Sequence, residues 1–397
     1  MMRQLGLFVA VPLLLLNAPV AAIEFGQVRT VAAAGQGVFH HLEGSGRRSM
    51  AMANDTLAIT WEDNSSGTPQ IYVAFKHARA EGFSKPVQVS AQGPAYEPVI
   101  ASVEGQFVIG WEAAERLWLR PVSPTQQGEI VRLSERMARH LSLASTPAQG
   151  IVAVWGEQHG RHYHIAHGHI ELRKNQLTVQ AAGLVDGAAD KTEQLYPAVA
   201  ATQAGLLVGW EDRRQGATRI YTAFAPSGKG FRPAQVLNEF VASPNEVYGR
   251  GTGAMRIVLD SDLNRHVVAV WLDKRHFEGG YDAYAAYSRD GGRSFGKNER
   301  IYDLLGEHTP QWHVTVAMNT QGDVLAAWDD TRDGSPDIWY SRRVDARWSD
   351  DEIWPAGGGA GAQTLPVLLF AGKDLHAAWL HRDGEVSEIR YIQARFD

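Results

Sequence analysis

Val267-Val268-Ala269-Val270-Trp271-Leu272-Asp273-Lys274-Arg275 is a short apolar run that ends in tryptophan and then turns into charge. Six other runs end the same way, at Trp61, Trp111, Trp155, Trp210, Trp328 and Trp379. The seven tryptophans are 50, 44, 55, 61, 57 and 51 residues apart, which makes the chain a series of seven similar units. Between them lie strand-length apolar stretches separated by Gly, Asp and Ser turns, with no sustained 3.6-residue periodicity.

Each period has the length of one four-stranded propeller blade. An opening strand, led in several units by Pro98, Pro197, Pro310 or Pro366, precedes the tryptophan strand. An Ile-Tyr strand follows, and Ile71-Tyr72 and Ile220-Tyr221 stand at the same distance from their tryptophans. The seventh unit stops after residues 388–394 and lacks an outer strand, while residues 23–31 belong to no unit. Pairing the two would close the ring without an open strand edge. The expected fold is all-β, a single propeller of four-stranded antiparallel blades over residues 23–397, with seven blades and N-terminal strand closure; a six-bladed form is the alternative.

Residues 1–22 read as a signal peptide: Arg3, an apolar run from Leu5 to Leu16, and small residues at Val20-Ala21-Ala22. Pro12, Asn17 and Pro19 interrupt the run, so no stable membrane anchor is expected after cleavage. Export to the periplasm or medium follows from this reading. The chain has no cysteine, so stability must come from packing alone. A net charge of −6 and the absence of basic runs interleaved with aromatics argue against a nucleic-acid partner.

Residues 288–295, Ser-Arg-Asp-Gly-Gly-Arg-Ser-Phe, resemble the Asp-box, or bacterial neuraminidase repeat, of sialidase-like propellers. The family pattern is Ser-x-Asp-x-Gly-x-Thr-Trp, here with Ser for Thr and Phe for Trp. The resemblance implies a hairpin between the third and fourth strands of a blade. It names a fold and not a reaction, because such boxes also occur in proteins that are not enzymes.

Two sets of candidate site residues follow. Trp-x-Asp-x-Arg recurs as Trp210/Asp212/Arg214, Trp271/Asp273/Arg275 and Trp328/Asp330/Arg332, with Asp63 in a partial copy. These charges are candidates for a ligand-binding rim, or for ordering their own turns. The family resemblance implies an arginine clamp and a Glu–Tyr pair, for which Arg48, Arg250, Arg256, Glu246 and Tyr248 are the candidates. The cluster His162, His164, His167 and His169 could give at most pairs of metal ligands, since alternation splits it between two strand faces. No cofactor is expected. The leading functional expectation is a propeller that binds a glycan, peptide or protein ligand on its Asp/Arg face; a sialidase-like hydrolase is the alternative, and a periplasmic metal binder a minor one.

Overall fold

The computed structural model describes residues 23–396 except 43, 45, 147–149, 188–191, 240–252, 276–279, 304–305 and 307–308. The segment read as a signal peptide lies outside the described residues. Seven antiparallel sheets, one per tryptophan unit, form a seven-bladed β-propeller, and no α-helix occurs among the described residues. Blade 5 is representative: Ala254–Ser261, Val267–Asp273, Asp282–Ser288 and Glu299–Arg300 pair in sequence order from the channel outward.

The tryptophan strands are largely apolar up to the tryptophan because both of their faces are covered by neighbouring blades. Among the described residues the core divides into seven hydrophobic clusters, one for each contact between adjacent blades. Every tryptophan of the repeat faces the blade before it; Trp271, for example, packs on blade 4 residues Ala198, Leu207 and Phe224. Since side chains alternate along a strand, the residue after each tryptophan faces the following blade, and the second residue returns to the tryptophan's side.

The ring closes as the sequence implies. Ile23–Phe25 pairs with Phe396 to Ala394, and Arg29–Ala34 pairs with Tyr391 to Ser387, so the N-terminus supplies the outer strand of blade 7. Residues 288–295 form the turn between the third and fourth strands of blade 5. There Asp290 accepts hydrogen bonds from Ser288 Oγ at 2.8 Å, Ser294 N at 3.0 Å and Ser294 Oγ at 2.6 Å, and Gly291 and Gly292 take positive φ. That is the local bonding habit of Asp and Ser in turns.

Candidate functional site at the channel mouth

The opening strands of blades 2 to 7 share an irregularity. Each has a register shift near its start, and each carries one non-glycine residue there with φ between 48° and 59°: Glu97, His140, Tyr196, Arg256, His313 and Leu365. A left-handed conformation costs an L-residue about 1–2 kcal/mol, and bulges re-aim side chains next to functional sites. Here the six bulges form a ring at one end of the central channel, on the face bearing the turns between second and third strands.

Each bulge frees a backbone N–H, and the residue after the previous blade's tryptophan captures most of them. Glu62 accepts from Glu97 N at 3.2 Å, Glu112 from His140 N at 2.6 Å, Glu211 from Arg256 N at 2.8 Å, and Asp329 from Leu365 N at 3.0 Å. The carboxylate at Trp+1 is thus a clamp between blades. Asp329 is also held by His313 Nδ1 at 2.7 Å, and burial lifts its carboxyl above the usual range against that pairing.

In blade 1 the strand is interrupted. His40–His41 and Met50–Ala53 flank the same edge of Thr56–Asp63, and residues 46–49 between them lie in the channel against the opening strands of blades 5, 6 and 7. Gly46 lies so close to blades 4 and 5 that a Cβ there would stand 2.8 Å from Ala198 Cβ and 2.9 Å from Ile257 O, and its carbonyl accepts from Ser142 Oγ of blade 3 at 2.7 Å. Residues 46–49 thereby fill the channel and make a floor for the mouth. Arg47, almost wholly buried, pairs from the floor with Glu97 and with Glu112 at 3.4 Å.

The wall formed by blades 3, 4 and 5 brings together His140, Tyr196, Arg256 and Glu211. The His140 ring stacks on Tyr196 with centroids 4.0 Å apart, and the Arg256 guanidinium carbon lies 3.9 Å from the centroid of the same ring. His140 comes from the blade before Tyr196 and Arg256 from the blade after it, so the phenol is sandwiched. Its hydroxyl has no hydrogen-bond partner among the described residues. Beside it, burial pushes the Glu211 carboxyl up to about 7, a rise opposed by the Arg256 N–H and by the charges of Arg256 and Arg213. Arg213 is exposed on the adjoining turn, its Nε held by Thr218 Oγ1 at 3.0 Å.

The Trp-x-Asp-x-Arg side chains are on the same face but turn inward. Asp63, Asp212, Asp273 and Asp330 each accept from the indole Nε1 of their own tryptophan at 2.8–3.1 Å. Arg214, Arg275 and Arg332 return to the same aspartates at 2.5–2.8 Å, with Arg214 also bound to Asp186 and Arg332 to Asp351. All four aspartates are buried. Each aspartate is thereby occupied by the tryptophan of its own blade, and by the motif arginine where there is one.

Nor do the two described arginines of the candidate clamp converge. Arg256 stands at the mouth. Arg48 points the other way from its neighbour Arg47 and pairs with Asp260 at 2.6 Å, in a cavity of about 240 Å³ at the far end of the channel. Asp260 is four residues along the strand from Arg256, or about 13 Å. Glu246, Tyr248 and Arg250 lie outside the described residues. Of the histidines, His164 is buried against His159, and His167 packs on Phe231; burial lowers the pKa of both His164 and His167. Neither they nor His162 and His169 join a group of three donors suited to a metal among the described residues.

Sequence reading therefore missed His140, Tyr196, Glu211 and Arg213 as a unit. The available signal was the acid after tryptophan in Trp-Glu and Trp-Asp, repeated at Glu62, Glu112, Glu211 and Asp329.

No family model matches the sequence, and no curated protein matches it. Solved structures do. The fold is similar to a polysaccharide lyase of family PL25, an ulvan lyase bound to -[GlcA(1-4)Rha3S]-, with a TM-score of 0.62 and 9% identity over 91% of this chain and 95% of that one. It is also similar to the polysaccharide lyase Uly1, with a TM-score of 0.60 and 7% identity over 94% and 99% of the two chains. A Trypanosoma rangeli sialidase matches with a TM-score of 0.44 and 8% identity, over 89% of this chain and 55% of that one. At these identities the likeness establishes the seven-bladed propeller fold, one shared with glycan-acting proteins.

Proposed function

We propose that the protein is a polysaccharide lyase that cleaves a uronate-containing glycan at the channel mouth. The observation that carries this reading is the sandwich of Tyr196 between His140 and Arg256, beside Glu211 and Arg213. A hydrolase of the carboxyl-pair type needs two carboxyl groups free at the scissile bond, whereas the mouth carboxylates Glu62, Glu112, Glu211 and Asp329 each hold a backbone N–H and Glu97 is paired with Arg47. Arg48, the expected clamp arginine, pairs with Asp260 at the far end of the channel, and Arg47 at the mouth is buried between two glutamates, which disfavours a sialidase-type carboxylate clamp.

β-Elimination asks for what remains. Arg256 and Arg213 pair with the uronate carboxylate, which acidifies the C5 proton. The Tyr196 oxygen, held in place by the His140 ring, takes the C5 proton and passes it to O4; the C5–H electron pair becomes the C4=C5 double bond as the C4–O4 bond breaks and its electron pair leaves with O4. Resemblance to lyases in fold supports the reading.

The test is incubation with a panel of uronate polymers, including the glucuronate and rhamnose 3-sulfate polymer, while following ultraviolet absorbance of the unsaturated product. Turnover by the wild type is expected, with Tyr196→Phe reducing it at least about 100-fold at an unchanged unfolding midpoint. Binding without any elimination would refute the catalytic reading and leave a glycan-binding propeller.

A further inference from the structure

Next to the mouth, between blades 1 and 2, is a cavity of about 670 Å³ lined by Pro94, Tyr96, Trp111, Ala113, Trp118 and Ile130, among others. None of its lining residues is charged. Tyr96 heads its strand and is 41% exposed. The Trp118 ring is half-buried and fixed by its Nε1 donating to Ala113 O at 3.2 Å. The cavity adjoins the mouth through the chain itself: Tyr96 precedes Glu97 and Trp111 precedes Glu112, the two carboxylates that pair with Arg47.

We propose that this cavity is a distal sugar subsite that stacks a neutral pyranose ring of the glycan whose uronate lies at the mouth. The inference rests on the proposed glycan specificity and adds to it a second position of opposite character. A fixed indole and an exposed phenol present flat apolar faces of the kind that pack on the C–H face of a sugar, with the Tyr96 hydroxyl at the wet edge. No cation lines the cavity, so nothing there would balance a carboxylate or sulfate; the occupant is an uncharged residue of the chain. A ligand spanning both positions must be an oligomer, which makes chain length the variable that the subsite reads.

Affinity is measured by calorimetry on the Tyr196→Phe protein, so that the ligand survives, using short and long fragments of the polymer the wild type prefers in the panel. Tyr96→Ala is expected to weaken the long fragment roughly tenfold, the equivalent of one lost aromatic stacking contact, and to leave the short one within about twofold. Tyr96→Trp restores the long-fragment affinity. Tyr96 is at the surface, so these variants keep the fold. Equal effects on both lengths, or no effect on either, overturn the subsite. Elimination by the wild type with Tyr96-independent binding sinks the subsite alone. Tyr96-dependent binding without elimination sinks the catalytic reading alone, and absence of all binding sinks both.

Discussion

Replacing Glu211 by glutamine removes one titration and little else, because the amide oxygen can still accept the Arg256 N–H that Glu211 Oε1 now takes at 2.8 Å. Burial raises the Glu211 carboxyl from 4.5 to about 7. At about 1.4 kcal/mol for each pH unit, holding this group ionised in the folded protein costs about 3 kcal/mol. The folded state binds the proton more tightly than the unfolded chain does. The stability this provides is complete below pH 4.5 and is lost as the pH rises through about 7. Denaturant unfolding across this range should show the wild type losing about 3 kcal/mol relative to Glu211→Gln. Asp351, raised to about 6, and Asp329, also raised, titrate in both proteins and cancel in that difference. A parallel effect is expected in catalysis: Glu211 faces Arg256, Arg213 and Tyr281, and its ionisation offsets the positive charge offered to an anionic substrate. The wild-type KM should rise above pH 7, and that of Glu211→Gln should stay flat. Superimposable stability profiles for the two proteins would refute the reasoning.

Asp330→Ala leaves the Trp328 indole N–H and the Arg332 guanidinium without their shared acceptor, and should cost about 3–5 kcal/mol in denaturant unfolding; a loss below about 1 kcal/mol would show that the motif is not a structural pin. Deletion of residues 23–34 uncovers the outer edge of blade 7 and should lower the thermal midpoint by at least about 5 °C and promote self-association, read by scanning calorimetry and light scattering.

The channel mouth was hidden in the sequence for a definite reason. His140, Tyr196 and Arg256 occupy equivalent places in three opening strands, but each faces the channel only because a one-residue bulge shifts its strand's register. A one-residue shift turns every side chain to the other face, and no hydrophobic pattern marks where it falls. Arg47 and Arg48 show the consequence: adjacent in sequence, they serve opposite ends of the channel. The acids after tryptophan were visible as a repeat, yet alternation sends the first to the next blade's bulge and the second back to its own indole.

What the sequence determined by itself was the ring. Five-residue apolar runs ending in tryptophan specify strands buried on both faces, their spacing specifies the blade, and a last unit short of a strand specifies where the N-terminus must go. These are properties of local composition and strand pairing, repeated often enough to read. Only the tertiary structure decided the site, because its groups come from separate blades and meet through backbone irregularities, a plug loop and interblade hydrogen bonds. Their chemistry depends on the same closure: Glu211 carries an ordinary carboxyl in the unfolded chain and titrates near neutrality only after two blades bury it.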